Sequence, residues 1–423
     1  MKHRIDWMDK NPDPTSKEEP VLTELRNSGK KIIDLGAGAV PRYKEDWTEG
    51  CISKVATECL VEAAKEEWGA YPLLSADLGI KENAIYNLRQ AIASFLKKYN
   101  GVDATLDDVM IGHGTSGCFA IMHLALLNPG DEMLSVEPSH YLVGEFKTVL
   151  MLQGNIVTAP SDPHRGWEPD FDALRCRITD RTKAIVVTQP TNPTGVIYSE
   201  KTLKQFVDIA GEHGLPVISD EMYQLITYDR LEAKSIVSVS GDVPVVITGS
   251  TSKFFRKPGW CVGYASFHDP AGKMEEFKKA AFMVSSTVGF GGTRVATPIL
   301  VAAARMYSDE KGIDECFRWV RSLQAKRDFI CKRINQIEGL SIVPPQAAFY
   351  GLFRVEEIGK KNSRWRDDYQ FALEILKREG LRVFAAQKFG KSAFGCVRVL
   401  MYRKMSILEE ALNKLEDFMK TSK

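Results

Sequence analysis

No CxxC pair occurs among the eight cysteines, at 51, 59, 118, 176, 261, 316, 331 and 396 of the 423-residue chain. Scattered thiols of this kind argue against a disulfide framework or a zinc site, so no metal is expected and the cysteines read as reduced thiols of a cytoplasmic protein. An excess of either charge is also missing. Fifty-six Lys plus Arg against 55 Asp plus Glu leave +1, which gives no reason to expect nucleic acid or another polyanion as a partner. No stretch approaches the roughly 20 apolar residues of a membrane span, so no membrane partner is expected either. The opening MKHRIDWMDKNPDPTSKEEP has no apolar run of the sort a secretory leader needs. Internal repeats and low-complexity tracts are absent too. What remains, 44% apolar and 26% charged, is the composition of a globular enzyme, and about 150 residues per domain suggests two or three domains.

Residues 1–30 are polar, rich in charge and Pro, and read as an arm. Beyond Lys31 come short Val- and Ile-rich runs at 108–112, 132–136, 155–159, 184–188, 216–219, 245–249 and 262–266. Most are too short for buried helices and several are continuously apolar, as strands covered on both faces must be. Helical patterns at 83–99, 115–128, 141–152 and 201–213 fill the gaps. This alternation predicts an α/β domain over 56–310 whose seven-stranded, mostly parallel sheet is sandwiched by helices. From about 310 the texture changes to a long amphipathic helix at 315–337, short strands at 340–343, 348–354 and 396–400, and a last helix at 405–420. Residues 31–55 and 311–423 are assigned to a smaller α+β domain. Chemistry is expected at the carboxyl ends of the parallel strands.

Four features stand at such ends, and a fifth lies inside a later apolar run. Ser250-Thr251-Ser252-Lys253 follows the run 245–249, and an amine there is placed to act as a nucleophile, although alone it also fits a solvated loop lysine. Asp220 ends the run 216–219, with Tyr223 three residues on. A desolvated carboxylate needs a cationic partner, and a protonated pyridine nitrogen would serve; a helix-capping Asp beside a packing Tyr is the alternative. Gln189-Pro190-Thr191-Asn192-Pro193-Thr194-Gly195 is a stiff turn that presents an Asn, or simply a turn. Gly112-His113-Gly114-Thr115-Ser116-Gly117 opens a helix, where backbone N–H groups make an anion site. It lacks a suitably placed acid some 20 residues on, which favours a phosphate monoester over a dinucleotide. Arg398 lies inside the apolar Cys396-Val397-Arg398-Val399-Leu400 and needs an anion, either a substrate carboxylate or a structural salt-bridge partner.

In this order the five features resemble the fold-type-I pyridoxal-phosphate enzymes of the class I/II aminotransferases. The likeness runs from Ile32-Ile33-Asp34-Leu35-Gly36-Ala37-Gly38 to Arg398. Trp167-Glu168-Pro169-Asp170, Ile178-Thr179-Asp180-Arg181-Thr182-Lys183-Ala184 and Pro345-Gln346-Ala347-Ala348-Phe349-Tyr350 look like alanine-aminotransferase-like members. The resemblance implies pyridoxal 5'-phosphate as cofactor, with an internal aldimine at Lys253 and ping-pong transfer between an L-amino acid and a 2-oxo acid. It implies Asp220 on the pyridinium nitrogen and Tyr223 and Asn192 on the phenolic oxygen. Gly114, Thr115, Ser116, Ser250 and Ser252 would surround the phosphate, and His140, with Tyr141 next in line, would stack on the ring. Arg398 and Asn192 would take the substrate carboxylate with Gly38 closing over it, and Tyr71 would reach a homodimer partner's phosphate.

Two departures stand out. The family's phosphate-binding Arg position is occupied by Cys261, so Arg256 is the candidate substitute. Pro72 to Asn87 separates Tyr71 from Leu88-Arg89 by more than the family's usual spacing. Residues 281–293 carry no charge, which leans towards neutral substrates. The residues alone leave open another fold-type-I reaction (C–S or β-lyase, racemase or oxidative enzyme) or a non-catalytic ligand-sensing relative.

Overall fold

The computed structural model describes residues 18–36, 53–66, 84–287 and 295–422. In chain order the strands are β1 (Ile33–Asp34), β2 (Val109–His113), β3 (Glu132–Glu137), β4 (Asn155–Asp162), β5 (Glu168–Pro169), β6 (Thr182–Thr188) and β7 (Val217–Asp220). They continue with β8 (Val245–Ser250), β9 (Val262–His268), β10 (Leu340–Ile342), β11 (Tyr350–Val355), β12 (Leu381–Arg382), β13 (Phe384–Ala385) and β14 (Cys396–Leu400).

Eight of them form one sheet in the order β2-β9-β8-β7-β6-β3-β4-β5. The pairs β3–β4, β3–β6, β6–β7 and β7–β8 are parallel, and β9 runs antiparallel to both its neighbours. Seven strands match the apolar runs of the sequence. The eighth, β5, is a two-residue strand antiparallel to β4, too short to show as a hydrophobic run. Residues of β6, β7 and β8 are buried almost without break, because helices cover both faces of the sheet. The apolar side chains divide between two clusters, one holding Ile185, Val187, Val217 and Ile247, the other Val186, Ile218 and Val246. Those memberships alternate along each strand, as the pleat requires.

Helix boundaries follow their caps. Ser199 accepts from Thr202 N–H and starts Glu200–Glu212; Asp309 accepts from Gly312 N–H at 2.9 Å and starts Glu310–Ile334 five residues earlier than the apolar pattern suggests. The helix read at 141–152 is only Phe146–Met151, preceded by a 3-10 turn at His140–Leu142. The helix read at 83–99 is α-helical over Ala84–Phe95 and closes in a π turn at Leu96–Asn100.

The later strands form a four-stranded antiparallel sheet, β10-β11-β14-β13, and β1 pairs with β12 in parallel. Within the segment read as an arm, Glu19–Asn27 is helical and buries Val21, Leu22 and Leu25 against Leu376 of the helix Asp368–Glu379. No helix among the described residues is long and apolar enough to cross a membrane.

Candidate active site

The carboxyl ends of β3, β6, β7 and β8 lie along one edge of the large sheet, and the antiparallel β9 brings its first residue to that same edge. Asp220 therefore sits beside Thr188 and Thr248 in register, and Ser250 beside Gly263. Asp220 is 5% exposed. Its Oδ1 accepts from Met222 N–H at 3.3 Å and from Thr248 Oγ1 at 3.5 Å, both long. Burial, with the Glu145 charge adding to it, pushes the carboxyl up to about 6, against the opposing pull of His140, the Met222 N–H and Lys253. Lys253 follows β8 on the turn that leads to β9, with Nζ 6.0 Å from the centroid of the Phe349 ring.

The residues read in the sequence as an anion site lie where the helix Gly114–Leu126 starts on β9. A Cβ on Gly263 would lie 2.2 Å from the Gly114 carbonyl carbon, so only glycine lets the helix start rest on that strand. The Gly114 N–H donates to the Cys261 carbonyl at 2.6 Å, which leaves Thr115 and Ser116 at the mouth of the helix. Thr115 Oγ1 and Ser250 Oγ converge on one thioether, Met222 Sδ, at 3.1 and 3.2 Å. A thioether is a weak acceptor, so an anionic oxygen arriving there takes both hydroxyl donors at little cost. Ser250 Oγ also accepts from Ser252 N–H at 3.1 Å.

A second set is joined by hydrogen bonds. Tyr223 OH receives Asn192 Nδ2 at 3.5 Å and donates to Tyr350 OH at 3.0 Å. Arg398 Nη1 donates to Asn192 Oδ1 at 3.1 Å, and its Nη2 to the Gly36 carbonyl at 2.9 Å. Burial holds the Tyr223 hydroxyl well above the usual tyrosine range and pulls the Arg398 guanidinium down. Thus Asn192, Tyr223 and Arg398, more than 200 residues apart at the extremes, share one network, and Tyr350 joins them.

His140 is the half-buried member, with Nδ1 3.3 Å from Glu145 Oε2. Glu145 Oε1 in turn accepts from Ser116 Oγ at 3.2 Å. Gly144 makes room for this, since a Cβ there would lie 2.8 Å from His140 Cε1. Tyr141 is buried and its OH meets His123 Nε2 at 2.9 Å, whereas His140 stays part-exposed.

The sequence reading of Arg256 needs correction. Its guanidinium is buried 5.1 Å from the Trp319 ring centroid, with Nη2 3.5 Å from Glu315 Oε1 and 3.7 Å from Cys316 Sγ. It therefore serves the helix Glu310–Ile334 and does not replace the family's Arg at Cys261. The Cys261 thiol itself faces the Pro258 carbonyl at 3.6 Å. Tyr71 and Gly38 lie outside the described residues. Sequence reasoning missed Glu145, Met222 and Tyr350. The only signal for any of them was Tyr350 within the Pro345–Tyr350 stretch.

The family model described as "Aminotransferase class I and II" matches residues 33–415. The chain is a class I and II aminotransferase. Among its relatives, an aspartate aminotransferase of Pyrococcus abyssi is 30% identical over 425 residues, covering 100% of this chain and 99% of that protein. Aromatic-amino-acid aminotransferase 2 of Thermococcus litoralis is 29% identical over 409 residues, 95% of each chain. A solved alanine aminotransferase of Pyrococcus furiosus is 33% identical, with a TM-score of 0.84 over 96% of this chain and 97% of its own. The aminotransferase thus has the type I fold of pyridoxal-phosphate-dependent transferases. The three relatives carry three different substrate names.

Proposed function

We propose that this aminotransferase holds pyridoxal 5'-phosphate at the sheet edge and moves an amino group between an L-amino acid and a 2-oxo acid. The observation that carries the reading is the Asp220 carboxyl, sealed from water and raised by burial, at the end of β7 next to the Lys253 turn. A buried carboxylate is costly unless a cation meets it, and a protonated ring nitrogen is such a cation. The Thr115–Ser250 hydroxyl pair fits a phosphate for the same reason: two donors converge on a sulfur that satisfies them poorly.

When bound, the cofactor supplies an electron sink for the bond that breaks at the substrate Cα. Asp220 would keep the ring nitrogen protonated. Thr115, Ser116, Ser250 and Ser252 would hold the phosphate, and His140 would pack on the cofactor. Asn192 Nδ2 and the Tyr223 hydroxyl, which lie 3.5 Å apart, would supply hydrogen bonds to the cofactor's phenolic oxygen. The Lys253 amine would hold the cofactor and, close to the substrate Cα, would serve as the base that accepts its proton and the acid that gives one back. Arg398 binds the α-carboxylate, which orients the Cα–H bond towards Lys253. Amino acid enters and oxo acid leaves; the reverse half-reaction follows with a second oxo acid.

Neutral side chains suit the uncharged run 281–293, and the enzyme works as a cytoplasmic homodimer. A half-reaction tests the transfer: adding an amino acid without acceptor should convert the bound cofactor to its amine form and release one equivalent of oxo acid. Release of ammonia, or racemised amino acid with an unchanged cofactor, would overturn the reading in favour of a lyase or a racemase.

A further inference from the structure

Glu18 precedes the helix Glu19–Asn27 and has 8% of its side chain exposed. This carboxylate meets two cations. Its Oε1 accepts from Lys388 Nζ at 2.9 Å, and its Oε2 lies 3.1 Å from Arg382. From each cation a route leads to Arg398. Lys388 Nζ is 4.4 Å from the centroid of the Phe384 ring, and Arg398 Cζ is 4.7 Å from the same centroid. Arg382 Nη1 pairs with Asp34 Oδ2 at 3.0 Å, and Asp34 Oδ1 accepts the Gly36 N–H at 2.8 Å. The Gly36 carbonyl is the acceptor for Arg398 Nη2.

The Arg398 guanidinium is itself ringed by Tyr350, Phe384 and Phe389, with centroids 4.4, 4.7 and 4.9 Å from Cζ. Ring faces and two neutral oxygens, those of Asn192 and Gly36, fix its direction and leave its charge for an incoming anion. Two of those supports, Phe384 and Gly36, are held in turn through Lys388 and Arg382. Without Glu18 both cations lose a counter-charge in a buried setting and must shift towards water. The Phe384 ring then loses the cation on it, and Asp34 loses a fixed partner.

We propose that Glu18 is a positioning residue for the substrate carboxylate: by pairing Lys388 and Arg382 it fixes Phe384 and Gly36, and through them Arg398. This rests on the assignment of Arg398 to the α-carboxylate. The segment that carries Glu18 reads in the sequence as an arm, yet Glu18 itself touches the two cations that stand behind the carboxylate site.

The test uses the holoenzyme and propionate, an unreactive monocarboxylate whose binding is read from the cofactor's absorbance. Glu18→Gln should raise the propionate dissociation constant about tenfold, and KM for amino acid and oxo acid by a similar factor. The pyridoxal-phosphate dissociation constant should stay within about twofold. Combining Glu18→Gln with Lys388→Met, which removes the cation together with its counter-charge, should cost less than the sum of the two single changes. Unchanged propionate affinity in Glu18→Gln overturns the proposal, and so does an equal loss of cofactor affinity, which would mark a general loss of fold. If Glu18→Gln does not accumulate as folded protein, Phe384→Leu carries the test with the same expected loss of propionate affinity, and unchanged affinity there overturns it. Arg398→Met in the otherwise native enzyme separates the two layers. If it leaves propionate binding intact, the assignment of Arg398 is what fails.

Discussion

Asp220 sets the pH behaviour of the site, and Lys253 carries its chemistry. Without cofactor, the Asp220 carboxyl titrates near 6 in the folded protein and near 3.8 when unfolded. Between those values the folded state holds the proton that the unfolded chain has released, so stability falls as pH rises from about 4 to about 6 and stays lower above that. Two units correspond to a cost on the order of 3 kcal/mol. Asp220→Asn should therefore make the cofactor-free protein more stable than wild type at pH 8, with the difference closing towards pH 4, as urea melts across pH would measure. With pyridoxal phosphate added the order should reverse, because only the carboxylate meets the ring cation. Lys253→Ala should leave a folded protein whose turnover falls by at least about a thousandfold. Borohydride reduction of the wild type should add the cofactor's mass to the peptide bearing Lys253; its appearance on Lys257 would reassign the amine. These residues were legible because each ends a short apolar run. Glu145 was not, since its contact with Ser116 joins residues 29 apart and leaves no periodic trace. Arg256 was misread because nearness to Lys253 along the chain says nothing about direction, and its guanidinium turns towards Trp319.

The helix Gly114–Leu126 and β9 are the elements that would make the proposed phosphate cup, and their contact is where it is most vulnerable. Gly263→Ala sets a methyl against the Gly114 and Thr115 backbone, which a side-chain rotation cannot relieve. A loss of about 1–3 kcal/mol in stability is expected, together with weaker cofactor binding, measured by urea melts and by titration of the cofactor absorbance. Cys261 opens the way to a gain. Restoring a guanidinium by Cys261→Arg should tighten pyridoxal phosphate by at least about tenfold, the worth of one charge-assisted hydrogen bond. Unchanged affinity would mean that the backbone at Cys261, which has φ 52 and lends its carbonyl to Gly114, does not aim a longer side chain at the phosphate. At this scale the sequence marked seven strands of the large sheet, since apolar runs bounded by turn residues have few other uses. It overextended the helix at 141–152, because Val143 and Leu142 keep the apolar spacing while the chain at Gly144 packs against the His140 ring.

Across the whole molecule, the later strands and the N-terminal segment come together through contacts hundreds of residues apart. Ile33 pairs with Leu381, and Glu18 with Lys388. Composition suggested an arm at residues 1–30, but a hydrophobic pattern of three residues, Val21, Leu22 and Leu25, is too short to announce a helix that docks on Leu376. A homodimer should appear in light scattering at twice the 47.3 kDa chain mass, at micromolar concentration and without dependence on added cofactor. A monomer under those conditions would set the proposed assembly aside.

The turn between β8 and β9 has a consequence for how this enzyme tolerates change. Its two strands are zipped antiparallel from Val245 opposite His268 to Ser250 opposite Gly263, so the turn that carries Lys253 is closed at both ends like a hairpin. A parallel crossover of the usual kind can absorb extra residues in its loop, because the returning helix takes up the slack. Here an inserted residue cannot be passed on: Thr251 N–H already meets the Val262 carbonyl at 3.0 Å, and Lys257 N–H the Thr251 carbonyl at 2.9 Å. The amine is thus indexed to the sheet itself, and among relatives of this fold the length between Ser250 and Gly263 should be the least elastic interval in the chain.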